Sequence, residues 1–107
     1  MSDGKQSRAL FFVLLALDAG AKHGYEISSW VGEKSGGFFG LSFGALYPLL
    51  HKLERDGLVR GAWDPKGSGR PRKIYALTPK GKVALADERS NYREHAAAFA
   101  RLLGAKA

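Results

Sequence analysis

Residues 42–77 constrain this chain more tightly than any other stretch. Ser42, a good helix N-cap, opens a run in which Leu46, Leu49, Leu50 and Leu53 recur at i, i+3, i+4 and i+7, and the run stops at Gly57. That spacing predicts an amphipathic helix to about Asp56, with Tyr47, Pro48, His51, Lys52 and Arg55 on the opposite face. Two short alternating runs follow, Leu58 to Trp63 and Arg72 to Leu77, and the segment between them, Pro65 through Pro71, suits only a mobile loop. Helix, strand, basic loop, strand is the order of a winged helix-turn-helix. In that arrangement a helix of the right width for a DNA major groove is followed by an arm that can neutralise the adjacent backbone.

The flanking segments complete a mainly α fold with one small β-hairpin. Residues 7–19 read as a first helix, apolar nearly all round, from Leu10, Phe11, Phe12 and Val13 through Leu14, Leu15 and Leu17. A helix without a polar face needs cover on more than one side, and part of that cover is expected from a second subunit. His23 to Glu33 reads as a second helix with Ile27, Trp30 and Val31 toward the core and Tyr25, Ser28 and Ser29 away from it. A flexible connection carrying Phe38 and Phe39 leads on to Ser42. Thr78 caps a long last helix with Pro79 at its first position, reaching about Leu103. Its seam of Leu85, Tyr92, Ala96, Phe99 and Leu103, with Arg89 in the gap, suits packing along another helix. The expected organisation is a winged helix-turn-helix region over residues 1–77 and a C-terminal dimerisation helix over 78–107, one compact domain overall. Leu10, Phe11 and Leu14 are expected to join that seam in a dimer interface.

Charge is concentrated where the hairpin falls. Residues 1–50 carry four Lys/Arg and four Asp/Glu, and residues 51–107 carry thirteen and six, so the whole net charge of +7 lies in the second half. Between Arg60 and Lys82 seven positive residues face one acid, Asp64, a local field suited to a polyanion. The plainer alternative for such a run is a solvated surface loop. Cysteine is absent, which excludes a disulfide framework and a thiolate metal site and makes the cytoplasm the expected compartment. The one long apolar run, Ala9 to Leu17, is about half the length that spans a bilayer, so neither membrane insertion nor secretion is expected.

The expected DNA-facing set begins at the helix that opens with Ser42, Phe43 and Gly44 and continues through Tyr47, His51 and Lys52. Gly44 removes bulk for close approach, Tyr47 offers a hydroxyl, and His51 and Lys52 add donors. Phe43 could instead staple the helix start, and His51 could be an ordinary exposed histidine. Tyr25 sits at a helix N-terminus, where backbone N–H groups and the positive dipole end favour a phosphate. In the wing, Lys66, Arg70, Arg72 and Lys73 are placed for backbone or minor-groove contact. Tyr75 is favoured as core, and Trp63 as a residue packing the base of the wing rather than a stacking platform. Pro48 breaks a rule, since within a helix it deletes a backbone hydrogen bond and should bend or loosen that turn. Rule-breaking positions are often functional.

The runs His23 to Ile27, Ser42 to Leu58, Trp63, and Arg72 to Gly81 resemble the PadR family of bacterial transcriptional regulators over roughly residues 8–85. The resemblance implies a winged helix-turn-helix dimerised through its C-terminal helix, repressing transcription until an effector is sensed. It also accounts for Pro48, since the family pattern places a proline after that tyrosine. Tyr25, Tyr47 and the wing cations are the positions it expects to touch DNA, while Ala45 departs from the usual threonine. With one C-terminal helix the chain is similar to the short members. Some of those hold flat aromatic compounds between subunits, for which Trp30, Phe38, Tyr92 and Phe99 are the candidates here.

Other classes fit less well. His23, His51 and His95 fall on separate elements with no carboxylate pair and no metal-ligand spacing, so neither catalysis, a metal nor a cofactor is expected. Gly67 to Arg70 lacks the strand-to-helix setting of a phosphate loop. The alternative of substance is a winged-helix module used for protein contact, against which the basic wing argues. An RNA binder would ordinarily display aromatics on a sheet, and none is evident.

Overall fold

Three helices of the chain begin where a side chain substitutes for a missing intrahelical acceptor. In the computed structural model, which describes residues 3–65 and 72–104 and side chains from residue 8 onward, the order is α1 (Asp3–Asp18), α2 (Gly24–Lys34), α3 (Phe43–Arg55), β1 (Val59–Asp64), β2 (Arg72–Leu77) and α4 (Pro79–Leu102). Ser42 accepts from the Ala45 amide at the head of α3, and Thr78 from the Gly81 amide at the head of α4, with Pro79 at the first position where no amide is needed. His23 caps α2 rather than beginning it, and Glu26 reaches back to the His23 amide to close a capping box. α1 begins four residues earlier than its apolar run suggests.

Helix ends are set as firmly. After α3 the Gly57 amide donates to the Glu54 carbonyl and the Leu58 amide to the Leu53 carbonyl, a pattern that needs the left-handed conformation Gly57 adopts (φ 78°). Because Leu58 spends its amide on this cap, β1 starts at Val59, one residue later than the alternation predicts. Gly20 (φ 110°) closes α1 the same way, with the Ala21 amide on the Ala16 carbonyl. α3 runs unbroken through Pro48. The missing amide there would have served the Gly44 carbonyl, which lies in an exposed first turn where water can replace it.

Leu14, Ile27, Leu46, Leu50 and Leu53 are fully buried, and with Val13, Ala16, Leu17, Val31, Leu41, Val59, Tyr75 and Leu85 they form one cluster shared by all the elements. Each large aliphatic side chain in it contributes roughly 1.5–3 kcal/mol of transfer free energy. Two expected interface residues therefore belong to the subunit's own interior: Leu14 has 0% exposure and Leu85 3%, leaving nothing to offer a second chain. Phe11 is also engaged within the chain, its ring stacked on Tyr92 at 4.5 Å between centroids. Ser28 is turned inward rather than away, donating to the Leu41 carbonyl at 2.8 Å and so fixing the α2–α3 connection. Leu49 is only partly buried.

The hairpin pairs antiparallel from Val59 opposite Leu77 to Asp64 opposite Arg72. Two backbone bonds tie β2 to the rest of the chain. The Tyr75 amide donates to the Lys22 carbonyl in the α1–α2 turn at 2.7 Å, and the Thr78 amide donates to the Leu58 carbonyl at 3.1 Å. α4 then passes so close to β1 that a Cβ on Gly81 would collide with the Leu58 carbonyl oxygen. Gly81→Ala should cost about 1–3 kcal/mol in urea unfolding because backbone must move. Gly32→Ala, where a Cβ meets nothing within 4 Å, should be neutral or stabilise by up to about 1 kcal/mol.

Candidate nucleic-acid interface

Burial of the leucine stripe leaves Phe43, Gly44, Tyr47, Pro48, His51 and Lys52 exposed along one side of α3. Ser42 is exposed too, but its hydroxyl serves as the cap. Phe43 and Tyr47 lie with ring centroids 6.0 Å apart, so Phe43 does support the outer face of the first turns. A Cβ on Gly44 would meet nothing, which leaves the helix tip open to close approach.

Tyr47 and His51 form one wall of a groove of about 370 Å³. His23, Gly24 and Tyr25 at the head of α2 form a second wall, and Trp63, Arg72, Lys73 and Tyr75 of the hairpin a third. The α2 and α3 walls are fitted by an absent side chain: a Cβ on Gly24 would stand 2.7 Å from the Tyr47 hydroxyl. Tyr25 is exposed, as expected of a phosphate ligand, whereas Tyr75 is buried as core, with 5% exposure. No carboxylate lines the groove among the described residues.

Two wing cations are held by specific partners. An Arg72 guanidinium nitrogen donates to His23 Nε2 at 3.1 Å. The other ring nitrogen receives the Glu26 amide at 3.5 Å. A neutral imidazole has one acceptor nitrogen, so the cap and the Arg72 contact compete for it. Lys73 Nζ donates to Glu54 Oε1 on α3 at 2.9 Å. That hydrogen bond holds the Glu54 carboxyl below its ordinary value of 4.5 and the Lys73 ammonium above 10.5. Lys73 thus braces the hairpin against α3 through a partly exposed ion pair. The Lys22 amide, donating to Glu26, lowers that carboxyl in turn, and burial raises the Tyr75 hydroxyl.

Lys66 and Arg70 lie outside the described residues. Of the wing cations expected at DNA, Arg72 therefore stands in the groove and Lys73 at its edge. Trp63 departs from expectation: it is 67% exposed instead of packed under the wing. His23 was missed as a site residue although its signal was present, a histidine three places before Glu26 at a helix start. The effector candidates are not gathered within the chain. Trp30 lines a shallow groove with Ala21 and Glu33, Phe38 meets Phe39 edge-on, Tyr92 stacks on Phe11, and Phe99 is 61% exposed near the end of α4. The described residues hold no cluster of metal-ligand type, and none of the described helices is long and apolar enough to cross a membrane.

The model of the transcriptional regulator PadR-like family matches residues 13–87. The chain is 36% identical over 74 residues to transcriptional regulator Rv3488 of Mycobacterium tuberculosis (69% of this chain, 55% of that protein). It is 33% identical over 81 residues to the negative transcriptional regulator PadR of Bacillus subtilis (75% and 44%). The chain thus spans about half the length of these curated relatives. Among solved structures, the Bacillus subtilis PadR complex with operator DNA superposes with a TM-score of 0.65 at 32% identity, covering 73% of this chain and 44% of that one. A PadR family regulator from Clostridium difficile superposes at 0.75 with 27% identity, covering 89% and 97%. The chain belongs to the PadR-like family of transcriptional regulators, a family of regulators and not of enzymes, and its fold is the winged helix-turn-helix.

The brace between α3 and the hairpin gives a pH signature. Glu54 is depressed in the folded state, so its contribution is present above 4.5 and is lost as pH falls through its lowered value. The raised Lys73 contributes below 10.5 and loses that contribution as pH rises through its raised value. Between about pH 7 and about pH 3, at one protein concentration, stability by urea unfolding should fall more steeply for the native chain than for Glu54→Gln, and the gap between the two should narrow at the acid end.

Proposed function

We propose that this chain is a sequence-specific double-stranded DNA-binding regulator, acting in the cytoplasm as a homodimeric repressor that reads an inverted repeat. The observation that carries the reading is the convergence of three elements on one carboxylate-free groove. The outer face of α3 supplies Tyr47 and His51, the head of α2 supplies Tyr25, and the wing supplies Arg72. A base-reading helix beside a backbone-contacting arm needs this juxtaposition. The family membership and the relative solved on operator DNA support it.

The dimer part of the reading rests on α4. This helix has 24 residues, about 36 Å of helix in a molecule that measures 52 × 28 × 26 Å. Phe99, Leu102 and Leu103 stand exposed at its end, an apolar tip that a second copy would cover. Release by a small aromatic effector completes the reading. The Phe11–Tyr92 pair on the α1–α4 face and Phe99 are the aromatics closest to such a seam.

Selection of duplexes from a randomised pool by the purified protein tests this. An enriched inverted repeat is expected, with half-site centres about one helical turn or a multiple apart. Retention without enrichment would leave a non-specific binder, and no retention would refute DNA binding. Arg72→Ala should weaken binding on selected and mixed-sequence duplexes alike and flatten the salt slope by about 0.9 for each phosphate that the arginine neutralises. Tyr47→Ala should instead lower the preference for the selected duplex.

A further inference from the structure

The hairpin is longer than the core beneath it. On an antiparallel pair, residues directly opposite share a face and alternate residues repeat it, so Val59, Gly61 and Trp63 lie on the same side as Leu77, Tyr75 and Lys73. Val59 is 2% exposed at the base of that side, and Tyr75 opposite Gly61 is still core. Two residues further on, the side chain has run past the edge of the interior. Trp63 keeps the inward-facing register, yet it overhangs the open groove between α2, α3 and the hairpin.

An exposed indole in that position is chemically specific. Its N–H is a donor with no acceptor capacity, and a phosphate oxygen accepts without donating. No hydrogen bond engages it among the described residues, and the same holds for the Tyr25 and Tyr47 hydroxyls across the groove. A base edge presents donors as well as acceptors. The α2 and hairpin walls, with an indole N–H, the exposed Tyr25 phenol, the His23 imidazole, a guanidinium and an ammonium and no carboxylate, suit a phosphodiester better than a base. The apolar faces of the indole suit the deoxyribose beside it.

We propose that Trp63 is a DNA-backbone contact, its indole N–H donating to a phosphate oxygen and its ring covering the adjacent deoxyribose of the strand seated between α3 and the hairpin. The inference rests on the DNA-binding reading above and adds to it a positioning residue that carries no charge. A neutral donor releases no counterion, so its removal lowers affinity without altering the salt slope, whereas removal of a cation does both.

Trp63→Ala and Trp63→Phe variants of the whole chain are titrated with a mixed-sequence duplex across a series of salt concentrations beside Arg72→Ala. Trp63→Ala should bind about tenfold and Trp63→Phe about threefold more weakly, both on the native salt slope. A reduced slope for Trp63→Ala would show collapse of the wing and overturn the proposal. So would unchanged affinity, while a normal Arg72→Ala defect would leave the DNA reading standing. In Trp30→Phe, where Trp63 is the sole tryptophan, acrylamide quenching of its emission should fall several-fold on saturation with duplex. Equal quenching with and without bound duplex would refute the contact. Equal protection by inorganic phosphate alone would reassign the groove to a free anion and refute it too. Absence of any duplex binding by the native chain would remove both readings together.

Discussion

Burial of Leu46, Leu50 and Leu53 fixes the rotation of α3 about its own axis, and every property of the outer surface follows from that rotation. Three leucines on one stripe, each without accessible surface, set the helix to within a fraction of a turn, because any rotation would bring a polar residue inward and expose an apolar one. Tyr47 and His51 then have one direction left to them. The stripe also explains why Pro48 is tolerated. A helix held by long-range packing does not depend on each of its own hydrogen bonds, and the bond that Pro48 deletes falls on the solvated side.

The wing obeys a different constraint, because a two-stranded hairpin is marginal by itself. It is held by the Tyr75 amide on Lys22, by Thr78 on the β1 junction, and by Lys73 on Glu54. Stability and binding compete for the same side chains here. A lysine that braces the hairpin has little free charge for a phosphate, and an arginine that donates to His23 must keep or trade that contact when DNA arrives. Counting the positive residues of the wing as equivalent DNA ligands overstates their number. Lys73, at least, divides its charge between Glu54 and any ligand.

What could be read from the sequence divides along physical lines. Elements governed by local signals were legible: the caps at Ser42 and Thr78, the stop at Gly57, and the exposed face of α3. The direction of Tyr25 and the burial of Tyr75 were legible as well, both set by periodicity. Misplacements arose where a residue's fate depends on the extent of a neighbour. Trp63 has the alternation of an inward residue, and nothing in a strand states where the core below it ends. Leu14 and Leu85 look like seam residues on their own helices, but the crossing of α1 and α4 within the subunit encloses them. Lys73 reads as a free cation until the hairpin's register brings it over Glu54, 19 positions away.

If the proposed reading holds, separate elements carry base preference and dimer geometry, and the dimer can acquire new targets by two independent routes. On that reading base readout would rest on the outer face of α3, while the separation and angle of the two reading helices would rest on α4. Leu85 anchors the near end of α4 into the core, and Gly81 sets its closest approach to the hairpin. A change at Tyr47 or His51 can therefore alter which bases are preferred without moving the dimer axis. A change around Phe99 or Leu102 can alter half-site spacing without touching a base contact. Trp63 belongs to neither set, since the backbone contact proposed for it would fix how deep α3 sits whatever sequence lies beneath it.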